Sequence, residues 1–346
     1  MNFNPFYGEA HWMKGNLHAH STLSDGMCTP DELKQIYVEE GYSFIAYTDH
    51  NVFPELSRLN DDSFIAFFGS EIKSYPAEDN ESCGDYRTYH MLCLAGPNFD
   101  DVTYPIKANE YVKPHRSAQN SHYAETQQII DQMIERGCLV TINHPIWSRL
   151  LPEDICSLDR FFALEIYNSQ CAIDGCDAGD GTLYWDLLLR QGKKIWGYAA
   201  DDNHNKDNLS SKDAVKIDAT HPRWPSCKGW VMVYAESLTQ QAIATALQNG
   251  RFYSSTGPEI YQYKIVDNCV IVECSQVVRI DFITYDRRGY SFTDQQGLYS
   301  AQYQLEGDEL YVRVQCTDRS GHCAWTNPIF LNQFSCTQRN QKSEAI

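Results

Sequence analysis

His18 and His20 stand two residues apart in the apolar segment GNLHAH (15–20). In an extended strand, residues i and i+2 point to the same face, so the pair would set two imidazoles side by side toward one cation. Asp25 follows in STLSDG, His50 ends SFIAYTDH, and Glu71 ends SFIAFFGSE. His90 opens HMLCLAG, His144 ends CLVTINH, and Asp202 and His204 stand together in ADDNH. Six of the 11 histidines therefore lie at the ends of apolar runs, beside three carboxylates. A single HxH is a weak signal, since most such pairs are exposed or satisfied histidines; the set is what points to metal. Imidazole and carboxylate donors in this mixture suit Zn, Mn or Fe without choosing among them.

Other residues are open to two readings. Asp49 and Asn143 precede His50 and His144 and point to the opposite strand face. They serve either as hydrogen-bond partners of ligand imidazoles or as plain structural polar groups. Arg149 in NHPIWSRL, His115 and Arg116 in YVKPHRS, and Lys113, His122, His221 and Arg223 would suit an anionic substrate, or are solvated loop residues. Trp147 and Trp224 are the candidate pocket walls. No G-x-G-x-x-G and no G-x-S-x-G nucleophile elbow is present. Cys28 lies near His20 in sequence, but the surrounding histidines are better used as ligands than as the base of a thiol nucleophile.

The elements that must position these groups are short apolar runs at 15–20, 43–50, 63–71, 90–96, 138–144, 161–168 and 194–202. They read as buried strands of a largely parallel sheet. Helical patterns lie between them. Thr29-Pro30-Asp31-Glu32 opens one with an N-cap and a first-turn proline, and AETQQIIDQMIERG, TLYWDLLLRQG and LTQQAIATALQNG each stop at glycine. This alternation fits an α/β barrel or a doubly wound sheet. Donors at the ends of most strands favour the barrel, whose sites are built on that rim. His90 departs from the pattern because it opens its run. After about residue 250 the texture becomes strand-like with turn residues between, as in a small antiparallel β-sandwich. The expected organisation is a barrel domain over 1–250 and a β-sandwich over 251–346. Two long polar insertions, 98–123 and 203–228, interrupt the first part and have the length of substrate lids.

Composition bounds the partners. Lys+Arg is 28 against Asp+Glu 46, a net charge of -18, which argues against nonspecific nucleic-acid binding. No stretch approaches the roughly 18 apolar residues of a membrane helix. The N-terminus shows no basic segment followed by an apolar one, and the 13 cysteines are scattered without a CxxC pair, so a cytoplasmic location is expected.

NLHAHSTLSDG, followed in order by YTDHN, GSE, NHP and DDNH, resembles the PHP (polymerase and histidinol phosphatase) superfamily over about residues 14–205. GRFYSSTGPEI and AWTNPIF, with the C-terminal strands, resemble its carbaryl-hydrolase-like branch. The resemblance implies a distorted (β/α)7 TIM-like barrel holding two or three divalent metals. It assigns His18, His20, Glu71 and Asp202 to one metal, bridging Glu71 with His90 and His144 to a second, and Asp25, His50 and His204 to a third. Spacing selects Asp202 for the superfamily's DxH aspartate, with Asp201 as the alternative. The implied function is hydrolysis of a small phosphomonoester or phosphodiester by a metal-activated hydroxide. The alternatives are a carboxyl ester or carbamate hydrolase and a barrel that serves only as a binding module. A complete ligand set argues against the last.

Overall fold

The computed structural model of the protein describes residues 1–75, 87–102, 106–113, 115–116, 122–175, 178–205, 225–285 and 289–331. Through residue 255 the strands are β1 (His11–Asn16), β2 (Phe44–Tyr47), β3 (Val52–Phe53), β4 (Ile65–Tyr75), β5 (Tyr89–Ala95), β6 (Glu110–Tyr111), β7 (His115–Arg116), β8 (Cys138–Ile142), β9 (Ala163–Asn168), β10 (Trp196–Ala200), β11 (Trp230–Ala235) and β12 (Phe252–Ser255). The helices are α1 (Pro30–Glu39), α2 (His122–Glu135), α3 (Pro152–Cys156), α4 (Ser169–Asp174), α5 (Thr182–Arg190) and α6 (Gln240–Gln248). The capping signal before α1 is realised in full. Thr29 Oγ1 accepts from the Glu32 N–H at 3.3 Å, and Glu32 Oε2 accepts from the Thr29 N–H at 2.8 Å. The turn after α2 passes through Gly137, whose φ is +86° and where an added Cβ would lie 2.9 Å from the Phe99 backbone.

Hydrogen bonding joins the site-bearing strands in the order β10-β9-β8-β5-β4-β2-β1-β11-β12. β10/β9, β9/β8, β4/β2 and β2/β1 are parallel pairs. β5 runs antiparallel to β4 and β8, and β11 antiparallel to β1 and β12. The far ends of this run meet just beyond their strands. Ala19 and Asn203 form a parallel bridge, the His20 N–H donates to Asn203 O at 3.1 Å, and the Asp202 N–H donates to His18 O at 2.9 Å. Among the described residues no ladder joins β10 to β1. The architecture is a mixed α/β fold on one large curled sheet, with two antiparallel strands interrupting the parallel run that the sequence suggests. Its core is apolar on both sheet faces, as the fully buried FIAY of β2 and CLVTI of β8 require.

Beyond β12 the strands β13 (Ile260–Val266), β14 (Cys269–Thr284), β15 (Gly289–Gln304), β16 (Tyr311–Thr317), β17 (Cys323–Thr326) and β18 (Ile329–Phe330) pair antiparallel. Val270, Val272, Ile280, Phe282, Val312 and Val314 lie in a core cluster of their own. β12 pairs with β17, so these strands continue the same sheet. No described helix is long and apolar enough to cross a membrane.

Candidate metal centre

The parallel strands all deliver their C-terminal ends to one rim. His18 and His20 follow β1, His50 follows β2, Glu71 lies in β4, His144 follows β8, and Asp202 and His204 follow β10. β5 runs the other way, so its N-terminal end, with His90 as its second residue, reaches that same rim. This is why His90 opens its apolar run while the other donors close theirs.

Glu71 is the hub. Its Oε1 lies 3.0 Å from His90 Nδ1, 3.3 Å from His144 Nε2 and 3.4 Å from His18 Nε2. Its Oε2 lies 2.8 Å from His50 Nδ1 and 3.6 Å from His20 Nε2. Asp202 Oδ1 lies 3.1 Å from His18 Nε2 and 3.0 Å from His20 Nε2. Asp25 Oδ1 lies 3.3 Å from His204 Nε2 and 3.6 Å from His50 Nε2. Three sets of donor atoms each fall within 4.8 Å of one another: His18–His20–Asp202, His18–Glu71–His144, and His20–Asp25–His50–His204. Beside the grouping that the resemblance implies, His20 also faces Asp25, His50 and His204, Glu71 groups with His18 and His144 and not with the His18–His20–Asp202 set, and His90 meets Glu71 Oε1 from outside the three sets.

The donor atoms fit a cation. His20 Nδ1, His50 Nδ1, Glu71 Oε2 and Asp202 Oδ1 are buried and, close as they lie to one another's residues, make no well-directed hydrogen bond among the described residues. Buried polar atoms are normally satisfied, and four such atoms distributed over the donor sets are the pattern that coordinated ions would resolve. The electrostatics agree. Burial works against charge on His18, yet the carboxylates of Asp202, Glu71 and Glu165 hold its pKa well above the ordinary value. Burial, reinforced by His204 and His50, pushes His20 well below it. Burial would raise Glu71 and Asp202, but the imidazoles around them hold both well below the usual carboxylate range. His90 is lowered by burial to about 4, against the pull of Glu71.

A supporting layer fixes the donors. Glu165 in β9 places Oε1 2.9 Å from His18 Nδ1, while its Oε2 accepts from the His144 N–H at 2.9 Å. Asn168 Nδ2 donates to Glu165 Oε2 at 2.9 Å and to Asp202 Oδ2 at 3.0 Å. Asn143 Nδ2 donates to Glu71 Oε1 at 3.0 Å, and its Oδ1 accepts from Thr141 and Tyr198 at 2.7 and 3.0 Å. Of the two readings open for Asn143, the geometry gives it an orienting contact, to Glu71 rather than to an imidazole. Asp49 instead holds the loop before Asp25, accepting from Ser21 N–H, Ser21 Oγ and Ser24 Oγ, each at 2.8 Å. Asp201 turns away from the rim. It accepts from Tyr37 at 2.7 Å and from the N–H groups of Cys227, Lys228 and Gly229 at 2.7, 2.8 and 2.8 Å. Asp202 and His144 have φ of +50° and +21°, left-handed backbone that non-glycine residues rarely adopt and that functional sites often hold.

Above the donors lies a cavity of about 210 Å³, lined also by Lys73, Trp147, Gln170, Cys171 and Asp174. Trp147 packs against His90 and His144 with ring centroids 5.4 and 5.0 Å apart, the wall position suggested from sequence. Arg149 is exposed on the following turn and is not among the lining residues. His115 and Arg116 form β7, which pairs with Ser74 and Tyr75 at the end of β4; their side chains lie outside the described residues. Lys113 is exposed, His122 opens α2 with its side chain outside the description, and His221, Arg223 and Trp224 lie outside the described residues altogether. Sequence reasoning missed Glu165 and Lys73. A lone carboxylate in the apolar run FFALEIYN needs a buried partner, and Lys73 shares a strand face with Glu71 by the i, i+2 rule.

No family model matches the chain, and no curated protein matches it. Two solved structures are similar at 14% identity. One is a two-domain protein from Bacteroides vulgatus containing a predicted PHP-like metal-dependent phosphoesterase, with a TM-score of 0.43 over 93% of this chain and 96% of that one. The other, from Bifidobacterium adolescentis and provisionally described as a metal-dependent phosphoesterase, has a TM-score of 0.36 over 60% of this chain and 93% of its own. Likeness this distant carries no argument about reaction or substrate.

Proposed function

We propose that the chain is a divalent-metal-dependent hydrolase of small phosphomonoesters or phosphodiesters. The observation that carries this reading is the gathering of His18, His20, Asp25, His50, Glu71, His90, His144, Asp202 and His204 in one cluster beneath the cavity, with four of their donor atoms buried and without a hydrogen bond among the described residues. Two or three cations of Mn, Zn or Fe would be held by the three donor sets, with His90 against Glu71. Bound there, such cations acidify water and neutralise developing charge on an ester. The chain's own residues do the positioning. Glu165 fixes the ring of His18 so that Nε2 faces the site, Asn143 orients Glu71, and Trp147 shields the His90–His144 side from solvent. The remaining wall is mixed, with Lys73, Gln170 and Asp174 beside Trp147 and Cys171, and it is the Lys73 ammonium that supports a phosphoester over an aryl carboxyl ester or carbamate. In the same reading, residues 1–250 form the distorted (β/α)7 barrel and 251–346 the antiparallel β-sandwich.

The test is hydrolysis by the Mn-loaded protein of p-nitrophenyl phosphate, bis-p-nitrophenyl phosphate, p-nitrophenyl acetate and an aryl carbamate. Metal content is measured alongside, together with a His18→Ala/His20→Ala variant. Turnover of either phosphate, abolished in the variant, is the expected result. Turnover of the acetate or carbamate alone would move the protein to carbonyl chemistry. Silence across the panel with metal bound would reject the hydrolase reading.

A further inference from the structure

Lys73 is the one Lys or Arg among the described residues that line the cavity. It lies in β4 two residues after Glu71, so strand alternation sends both side chains to the same side, and it pairs across the sheet with His90. The side chain is only partly buried, and its ammonium makes no hydrogen bond or ion pair among the described residues. That is unusual beside so much negative charge. Asp202, Glu71 and Asp25 are taken up by imidazoles, and Asp174 accepts from Gln170 Nε2 at 3.0 Å. A lysine on a cavity wall with three donors and no acceptor has its hydrogen-bonding capacity turned to whatever enters.

We propose that Lys73 is an anion-anchoring residue of this site. It binds an oxygen of the phosphoryl group directly and gives the enzyme its preference for a doubly charged phosphomonoester over a neutral ester. The inference rests on the hydrolase reading above but adds a residue and a charge class to it. A metal cluster alone binds carbonyl and phosphoryl oxygens alike, whereas a fixed ammonium beside it rewards the extra charge of a phosphomonoester. The chain's net charge of -18 makes a lysine at the cavity without a carboxylate partner among the described residues matter more, because the surrounding field otherwise repels anions.

Binding of inorganic phosphate to the Mn-loaded protein, followed by titration calorimetry, tests this without requiring turnover. Lys73→Met is expected to weaken phosphate binding about 10-fold or more, the loss of a charge-assisted hydrogen bond. Lys73→Arg is expected to recover most of it. Metal content and thermal midpoint, measured on each variant, show that the site and fold persist. If p-nitrophenyl phosphate is turned over, Lys73→Met is expected to raise KM more than it lowers kcat, and to reduce the phosphate-to-acetate preference. Phosphate binding within twofold of wild type in a metal-replete Lys73→Met protein overturns the inference, whatever the hydrolysis panel shows. Absence of phosphate binding in the wild-type protein overturns it too. The hydrolase reading stands or falls separately, on turnover.

Discussion

At the scale of single residues, the two adjacent aspartates separate cleanly by what they touch. Asp202 sits between His18 and His20, whereas Asp201 collects three backbone N–H groups and the Tyr37 hydroxyl. Asp202→Asn is therefore expected to lower metal stoichiometry with little loss of stability. Asp201→Asn is expected to retain metal and lose about 1–3 kcal/mol of stability, because a neutral amide cannot satisfy the same donors. Elemental analysis and denaturant titration of the two variants check this, and loss of metal in both would refute it. Glu165 acts one layer further out. Its contact with His18 Nδ1 fixes the tautomer, so Glu165→Gln is expected to weaken metal binding by about 10–100-fold without removing a ligand. Competition with a calibrated chelator reads that change, and an unchanged affinity would make Glu165 a packing residue.

At the scale of elements, the loop from His20 to Asp25 depends on a close approach. A Cβ at Gly26 would lie 2.3 Å from the His20 carbonyl oxygen, and the Gly26 N–H donates to Ser21 O at 2.9 Å. Gly26→Ala is expected to displace Asp25 and empty the His20–Asp25–His50–His204 set first. Fewer bound ions per chain, with the remainder held at wild-type affinity, would show it; full stoichiometry would not fit. A second element-level expectation concerns the turn between β15 and β16. Glu309 is buried and accepts from the Glu306 and Gly307 N–H groups, each at 2.8 Å. Burial would raise its pKa, but the Glu306, Glu309 and Gly307 N–H groups lower it. Its stabilising effect is therefore present above the unfolded value near 4.5 and lost as pH falls through the lower folded one. The stability gap between wild type and Glu309→Gln should shrink on acidification below that value. A gap that persists at acid pH would count against it.

These elements also show what the sequence could and could not convey. The apolar runs and glycine stops locate β2, β4, β5, β8, β9, β10 and the major helices, because burial on both faces leaves a contiguous apolar signature; the run expected at 15–20 lies mostly past β1, which is His11–Asn16, and the two-residue strands β3, β6 and β7 are too short to leave one. Strand direction leaves none. HMLCLAG reads alike in either sense, so only the position of His90 at its start carried the information that β5 is reversed. Most donors were legible because they close or open such a run, while Asp25 and His204 lie in the loops just beyond one. Glu165 and Asn143 were less so, since a polar group facing inward has the same letter whether it supports a ligand or only a neighbour.

At the scale of the whole molecule, the two halves are tied by charge as well as by backbone. Arg313 of β16 is 1% exposed, lies over the Trp185 ring at 4.6 Å, and bonds Asp186 of α5 through Nε at 3.2 Å. Removing the carboxylate strands a buried cation. Asp186→Ala is expected to destabilise by about 3 kcal/mol, and the Asp186→Ala/Arg313→Met double variant to recover much of that. Chemical denaturation of the three variants closes the cycle, and equal losses in the single and double variants would refute it. The β12–β17 ladder has a wider consequence. The sheet that bears the donors does not stop where the texture of the sequence changes; its next hydrogen-bonding partner comes from some seventy residues further along the chain. Cutting at residue 250 would remove β12 and leave β11 with an unsatisfied edge, a template for fibrous pairing with other copies. In evolutionary terms the C-terminal part is no exchangeable cassette. A recombination that swapped it would have to bring a strand of matching register to β12, and lineages would be expected to gain or lose the two parts together.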